Sequence, residues 1–170
     1  MNGLFYFSAA VAIVATFLTI TRVYAVHALL YLIVSLLAVA LTFYSLGAPF
    51  VAALEAIIYA GAIMVLFVFV VMMLNLSPEA SREETAWWTP GMWVGPAILA
   101  ALLLVELIYV LVWGGGAPTA GVMIDPKQVG IALFGPYLLG VELASMLLLA
   151  GLVGAYYLGH RSGGQRIGGE

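Results

Sequence analysis

The chain has 170 residues, of which 65% are hydrophobic and only 8% are charged, and its net charge is −3. That much apolar side chain exceeds what a soluble core of this length can bury, so we expect an integral membrane protein without a soluble domain. The sequence contains no cysteine, which excludes disulfides, thiolate metal ligands and a cysteine nucleophile. Its two histidines, His27 and His160, are far apart, and its few basic residues are scattered. A metal site and a nucleic-acid-binding surface are therefore not expected.

Five apolar stretches have about the 20 residues that a helix needs to cross a bilayer. They predict an all-α bundle of five transmembrane helices over residues 3–20, 26–46, 50–76, 93–113 and 136–158. We expect one membrane domain over residues 1–160 and a flexible cytoplasmic tail over residues 161–170. Between the second and third spans, Gly47 and Pro49 predict a tight connection.

The orientation of the bundle is predicted from its basic residues. Lys127 falls on one side of the five-span arrangement. The other four basic residues fall on the opposite side: Arg22, Arg82, Arg161 and Arg166. Because short cytoplasmic loops carry an excess of basic residues, we expect the N-terminus outside and the C-terminus in the cytoplasm.

Three acidic residues lie inside predicted spans: Glu55, Glu106 and Glu142. At 1.5 Å per residue, each is about 6–10 Å from the outer end of its helix. An acidic residue at the centre of a membrane helix costs about 2.5–3.5 kcal/mol, and no basic residue of this chain lies at the same depth. We therefore expect these carboxyl groups to be protonated, to face a hydrated or protein-lined interior, or to pair with another subunit.

Two interpretations of Glu55 stay open. It is a proton-relay carboxylate, supported by Tyr59 one helical turn later on the same face, or it is a structural carboxylate bonded to a neighbouring helix. Glu106 and Glu142 have the same two alternatives. The structural one is favoured for them, because neither has an adjacent titratable partner in the sequence.

The third predicted helix is intrinsically weak near its middle. Gly61 lies between two alanines, and a glycine inside a helix costs about 1 kcal/mol relative to alanine. Such small residues let helix backbones approach closely in lipid, and the spacing by itself favours this packing role. The alternative is a π-bulge, a feature that recurs at functional sites. The sequence contains no catalytic triad or phosphate-binding loop, so we expect no catalytic residue on this chain.

Four stretches resemble the subunit J family of the bacterial proton-pumping NADH:quinone oxidoreductase, respiratory complex I, whose mitochondrial counterpart is NADH dehydrogenase subunit six. The resemblance spans the five predicted helices almost end to end, and the long third-span motif is its most specific part. The stretches are VHALLYLI at 26–33, SLGA at 45–48, ALEAIIYAGAIMVLFVFVVMMLN at 53–75 and GPYLLGVELAS at 135–145.

The resemblance implies a multi-pass subunit of the bacterial inner membrane, surrounded by lipid and packed against subunits A, H and K and the neighbouring pumping subunits. It implies a π-bulge around residues 59–65 that relaxes to regular α-helix and thereby couples quinone reduction to proton translocation. The hinge residues would be Tyr59, Gly61, Met64, Val65 and Phe67. FMN, iron–sulfur clusters and quinone would be bound by other subunits, and no cofactor by this chain.

Two other functions are alternatives to the role in complex I. The first is the related subunit of a multi-subunit cation/proton antiporter or of a membrane-bound hydrogenase, and the fidelity of the third-span motif disfavours it. The second is a purely structural helix bundle, which would require that changes in the third span affect assembly and never coupling.

Overall fold

The computed structural model describes residues 2–74, 90–112 and 123–161. Within those ranges the chain is helical, with short links and no strand, and this confirms the predicted all-α class. Five helices are long and apolar enough to cross a membrane, as predicted: Gly3–Thr21, Ala25–Ser45, Pro49–Met73, Trp93–Val112 and Leu138–His160. The connection between the third and fourth predicted spans, residues 77–92, lies almost entirely outside the described residues, as does the predicted tail beyond residue 161.

The helices belong to two compact units, which cover residues 1–124 and 125–170. Among the described residues, the first unit contains four helices: α1 (Asn2–Thr21), α2 (Ala25–Ser45), α3 (residues 49–74) and α4 (Pro90–Val112). The described part of the second unit contains two helices: α5 (Pro126–Leu133) and α6 (Leu138–Arg161).

Helix α2 is central to the first unit, because it contacts α1, α3 and α4. The core cluster draws its buried side chains from three of these helices: Val11, Ala15, Val34, Ala38 and Leu103. Ala15 of α1 and Ala38 of α2 are completely buried. Small side chains at these positions allow the two backbones to approach closely, which is how helices associate where lipid removes the hydrophobic driving force.

Hydroxyl groups add hydrogen bonds between α1 and α2. The Oγ1 atom of Thr16 lies 2.7 Å from Oγ of Ser35. Thr16 donates to the carbonyl of Ala12 at 2.8 Å, and Ser35 reaches the same carbonyl at 3.1 Å. Since side-chain bonds of this kind contribute about 0.6–2 kcal/mol in membrane proteins, they reinforce the small-residue contact.

The link between α2 and α3 is the tight connection that the sequence predicts. Gly47 has a φ of 88°, in the left-handed region that glycine enters without steric penalty. Pro49 begins α3, where a missing N–H is tolerated. The carbonyl of Gly47 accepts a 2.8 Å bond from the N–H of Ile124, which fixes the link to the end of the same unit.

The second unit contains one helix that the sequence analysis missed. None of the five predicted spans includes residues 126–133, whereas Pro126–Leu133 form α5. Its start has a recognisable signal: Pro126 is at the first helical position, and the N–H of Asp125 donates to Oε1 of Gln128 at 3.2 Å. The glycines on either side of this short segment obscured that signal.

Tyr31 of α2 fixes the distance between α2 and α4. Its ring is buried, and a side chain added at Gly95 of α4 would overlap the Tyr31 hydroxyl. The guanidinium of Arg22 lies 5.2 Å from the centre of the same ring, within the range of a cation–π contact. The tyrosine therefore fits between the helices only because residue 95 has no side chain.

Gly95→Ala is expected to destabilise the packing of α4 on α2 by about 1–3 kcal/mol, the usual penalty of overpacking. The measurement is the half-life of the purified complex during heating. Gly151→Ala is the matched control, since a methyl group there meets no atom within 4 Å. Adding Tyr31→Phe removes the clashing hydroxyl and is expected to restore part of the loss. Equal half-lives for the Gly95→Ala and Gly151→Ala complexes would contradict this packing argument.

Candidate functional site in the third helix

Helix α3 changes its hydrogen-bonding pattern inside the membrane span. Residues Pro49–Leu54 are α-helical, Glu55–Ile63 are π-helical, and Met64–Leu74 are again α-helical. In a π-helix each N–H bonds to the carbonyl five residues earlier instead of four. Where the π segment ends at Met64, backbone N–H groups donate to the carbonyls of Tyr59 and Gly61. This confirms the π-helical element expected in the third span, and at nine residues it is longer than the single-turn bulges that are most common.

The small residues of α3 serve both packing and the π segment. Ala52, Ala60 and Met64 are buried, and α3 contacts α2 along all three of its segments. Ala60 therefore supports the close packing that the spacing favours. Gly61 lies beside it inside the π segment, where an added Cβ would be 3.2 Å from the carbonyl oxygen of Ala56. That contact is tight, so the absence of a side chain at Gly61 eases the π-helical path.

The π segment begins nearer the start of α3 than the resemblance implied. The expected position was around residues 59–65, whereas the segment covers Glu55–Ile63. Two of the expected hinge residues, Tyr59 and Gly61, lie within it. The other three lie in the following α-helical segment: Met64, Val65 and Phe67. Met64 is buried, while Val65 and Phe67 are exposed.

Glu55 is the first residue of the π segment and is partly buried. Within the described ranges its carboxyl group makes no hydrogen bond or ion pair. Tyr59 is 51% exposed, and its hydroxyl is not bonded to Glu55. The two groups share a helix and adjacent turns, but this structure contains no direct bond between them.

Glu106 has a different environment, because it is enclosed by the first unit. Only 8% of the residue is exposed, and its Oε1 atom lies 2.8 Å from the hydroxyl of Ser8, which is fully buried in α1. Its Oε2 atom is buried without a hydrogen-bond partner in the described part of the chain. The sequence analysis did not single out Ser8. The available signal was a lone serine in an otherwise apolar part of the first span.

Glu142 lies on α6 in the second unit and is exposed within that unit. Its backbone carbonyl accepts a 2.8 Å bond from the hydroxyl of Ser145 one turn later. Of the three membrane glutamates, only Glu106 is therefore enclosed by its own unit. No group of three acidic or histidine side chains able to hold a metal occurs among the residues that the structure describes.

The face of α3 that does not contact α2 exposes many large apolar side chains. Several are more than half exposed: Ile57, Tyr59, Val65, Leu66, Phe67, Phe69, Met72 and Met73. A surface of this kind is suited to lipid or to the apolar surface of another membrane subunit.

Comparison with known proteins identifies the family of this chain. The sequence model of the family NADH-ubiquinone/plastoquinone oxidoreductase chain 6 matches residues 15–158. The chain belongs to this family. Membership confirms the resemblance on which the expectations for the third span were based.

Three relatives show how closely the family members agree. NADH-quinone oxidoreductase subunit J of Pseudomonas aeruginosa is 61% identical over 166 residues, covering 97% of this chain and all of the relative. The subunit J protein of Escherichia coli K12 is 56% identical over 159 residues, covering 94% of this chain and 86% of the relative. That of Buchnera aphidicola from Acyrthosiphon pisum is 48% identical over 159 residues, covering 94% of each chain.

Gly61→Ala is expected to shift α3 toward a regular α-helix. The added methyl group would lie 3.2 Å from the Ala56 carbonyl in the π form, and alanine favours α-helix over glycine by about 1 kcal/mol. The measurement is the carbonyl hydrogen-bonding pattern of α3 in a cryo-electron-microscopy map of the assembled complex. Gly151→Ala on α6 is the control, with α3 expected to be unchanged. A π segment of the same length in both variants would show that Gly61 does not control it.

Proposed function

We propose that this chain is a non-catalytic membrane subunit of NADH:quinone oxidoreductase, respiratory complex I, and that α3 couples quinone reduction to proton translocation. Family membership and the relatives named NADH-quinone oxidoreductase subunit J support the place in this complex. The coupling role is supported by one observation above all, the π-helical segment Glu55–Ile63 in the middle of a membrane span. Electron transfer from NADH through FMN and iron–sulfur clusters to quinone would take place on other subunits.

The proposed movement is an exchange of helical form. Successive residues of an α-helix are about 100° apart around the axis, so converting one wide turn to a regular turn rotates the rest of α3 by roughly that angle. The rotation would carry Met64 out of its buried position against α2 and would move the exposed Val65 and Phe67. Since each backbone N–H passes from one carbonyl to another, the exchange leaves no N–H group unpaired in the lipid.

Glu55 would connect the rotation of α3 to proton transfer. It is the first residue of the π segment, and its carboxyl group is not bonded within the described chain. A carboxyl group in that position is able to join a hydrogen-bonded path formed with water or a partner subunit, and to leave that path when the helix rotates. Tyr59 would rotate with the segment and carry its hydroxyl with it.

The surroundings of the chain follow from the same proposal. Residues 1–160 would form the membrane domain. The exposed apolar face of α3 would contact subunits A, H and K or pumping subunits, and the remainder of the surface would contact lipid. We place the protein in the bacterial inner membrane with its N-terminus outside and its C-terminus in the cytoplasm, since Arg22 and most other basic residues then face the cytoplasm.

The antiporter or hydrogenase alternative is not favoured. The relatives described above are all named NADH-quinone oxidoreductase subunit J, and they match this chain over nearly its whole length. A direct check is to purify the complex from the native membrane. NADH oxidation together with bound flavin and iron–sulfur clusters supports the proposal, and a complex that lacks them contradicts it.

Gly61→Leu is expected to lower NADH:quinone turnover and proton pumping together, while the complex still assembles. The reason is that a bulky side chain at residue 61 meets the Ala56 carbonyl and restricts the change of helical form. The measurements are NADH oxidation and acidification of inverted membrane vesicles. Gly151→Leu adds the same volume to α6, where space is open, and should behave like the unmodified complex. Normal pumping by assembled Gly61→Leu complex would refute the hinge.

Glu55→Gln tests the carboxyl group separately from the helix. The substitution preserves size and hydrogen bonding but removes the exchangeable acidic proton. If Glu55 is part of the proton path, pumping per NADH oxidised falls, and it falls across the whole pH range in which the unmodified complex pumps. Pumping that is unchanged across that range would leave Glu55 a structural role only.

A further inference from the structure

Ser8 and Glu106 form a buried contact between α1 and α4 in which one hydroxyl group has two possible acceptors. The hydroxyl oxygen of Ser8 lies 2.8 Å from Oε1 of Glu106 and 2.9 Å from the backbone carbonyl of Leu4. Ser8 is completely buried, and Glu106 is 8% exposed. Three oxygen atoms from α1 and α4 thus meet at a place that water and lipid barely reach.

The number of protons available to these oxygen atoms indicates the protonation state of Glu106. A serine hydroxyl has one proton to donate, and both the Leu4 carbonyl and an ionised Glu106 would require it. With an ionised carboxylate, only one of the two contacts can be a hydrogen bond at any moment. With a neutral acid, Oε1 donates its proton to Ser8 Oγ, and Ser8 donates its own proton to the Leu4 carbonyl. Both contacts are then satisfied at once.

The other carboxyl oxygen favours the same form. Oε2 of Glu106 is buried without a hydrogen-bond partner, and no ion pair of Glu106 is present in the described ranges. A buried neutral acceptor without a partner is destabilising, but an unpaired buried charge is far more so. The membrane adds its own penalty against an ionised side chain in a helix.

We propose that Glu106 is a neutral carboxylic acid that holds its proton between α4 and α1, in the directed chain from Glu106 to Ser8 to the Leu4 carbonyl. The site is a second proton-holding position, separate from Glu55 and enclosed within the first unit. Ser8 is its moving part: removal of the acidic proton obliges the Ser8 hydroxyl to turn from Leu4 toward Glu106. The inference does not depend on the coupling role of α3.

The test is infrared spectroscopy of the whole complex in lipid, comparing the unmodified protein with Glu106→Gln at neutral pH. A protonated carboxyl group has a C=O stretching band that an ionised carboxylate lacks. We expect this band to disappear in Glu106→Gln and to shift in Ser8→Ala, which removes its hydrogen-bond partner. Glu142→Gln is the matched control and should retain the band unshifted. If only carboxylate bands disappear in Glu106→Gln, Glu106 is ionised and the proposal is wrong.

Heat resistance gives an independent readout of the bond direction. A glutamine amide donates to Ser8 as the neutral acid does, so the Glu106→Gln complex should keep close to its original half-life during heating. Glu106→Ala and Ser8→Ala break the chain and are expected to shorten that half-life several-fold. Equal loss in Glu106→Gln and Glu106→Ala would contradict the donor role of residue 106. NADH:quinone coupling, measured on the same samples, separates this result from the fate of the α3 proposal.

Discussion

A lipid bilayer offers no hydrogen-bond partner to a peptide group, so each backbone N–H and C=O inside the membrane must be bonded within the protein. Helix α3 meets this requirement for its N–H groups in two ways within one span. Its outer segments bond each N–H to the carbonyl four residues earlier, and Glu55–Ile63 bond to the carbonyl five residues earlier. Because both patterns keep the N–H groups bonded, side chains such as that of residue 61 affect which pattern is favoured. A span of this kind is suited to change form without unfolding.

Helix α3 has one face that packs against α2 and another that is exposed within this chain. Ala52, Ala60 and Met64 are buried, and α3 contacts α2, which is itself fixed between α1 and α4 by Ala15, Ala38 and the Tyr31–Gly95 contact. The opposite face exposes large apolar residues. The small side chains of Ala52 and Ala60 on the packed face let α3 lie close to α2, along which the proposed rotation would take place. Such a rotation would move the exposed bulky side chains against neighbouring molecules.

The three membrane glutamates show how similar sequence contexts lead to different chemistry. Glu55, Glu106 and Glu142 each lie one to two turns from a helix end. In the structure, Glu106 is enclosed with Ser8, Glu55 begins the π segment without a partner among the described residues, and Glu142 is exposed on α6. The enclosed group is suited to hold a proton in place. The unbonded group at the π segment is suited to exchange one.

The sequence alone determined the number of membrane-spanning helices, their spans within a few residues and the family, because apolar length and the third-span motif are local properties of the chain. It also indicated weakness at Gly61. Only the tertiary structure decided that the π segment starts at Glu55, that α5 is helical, and that Ser8 meets Glu106 across 98 positions of sequence. Such contacts depend on which faces of α1 and α4 meet. Hydropathy is nearly uniform around a membrane helix and so does not specify those faces.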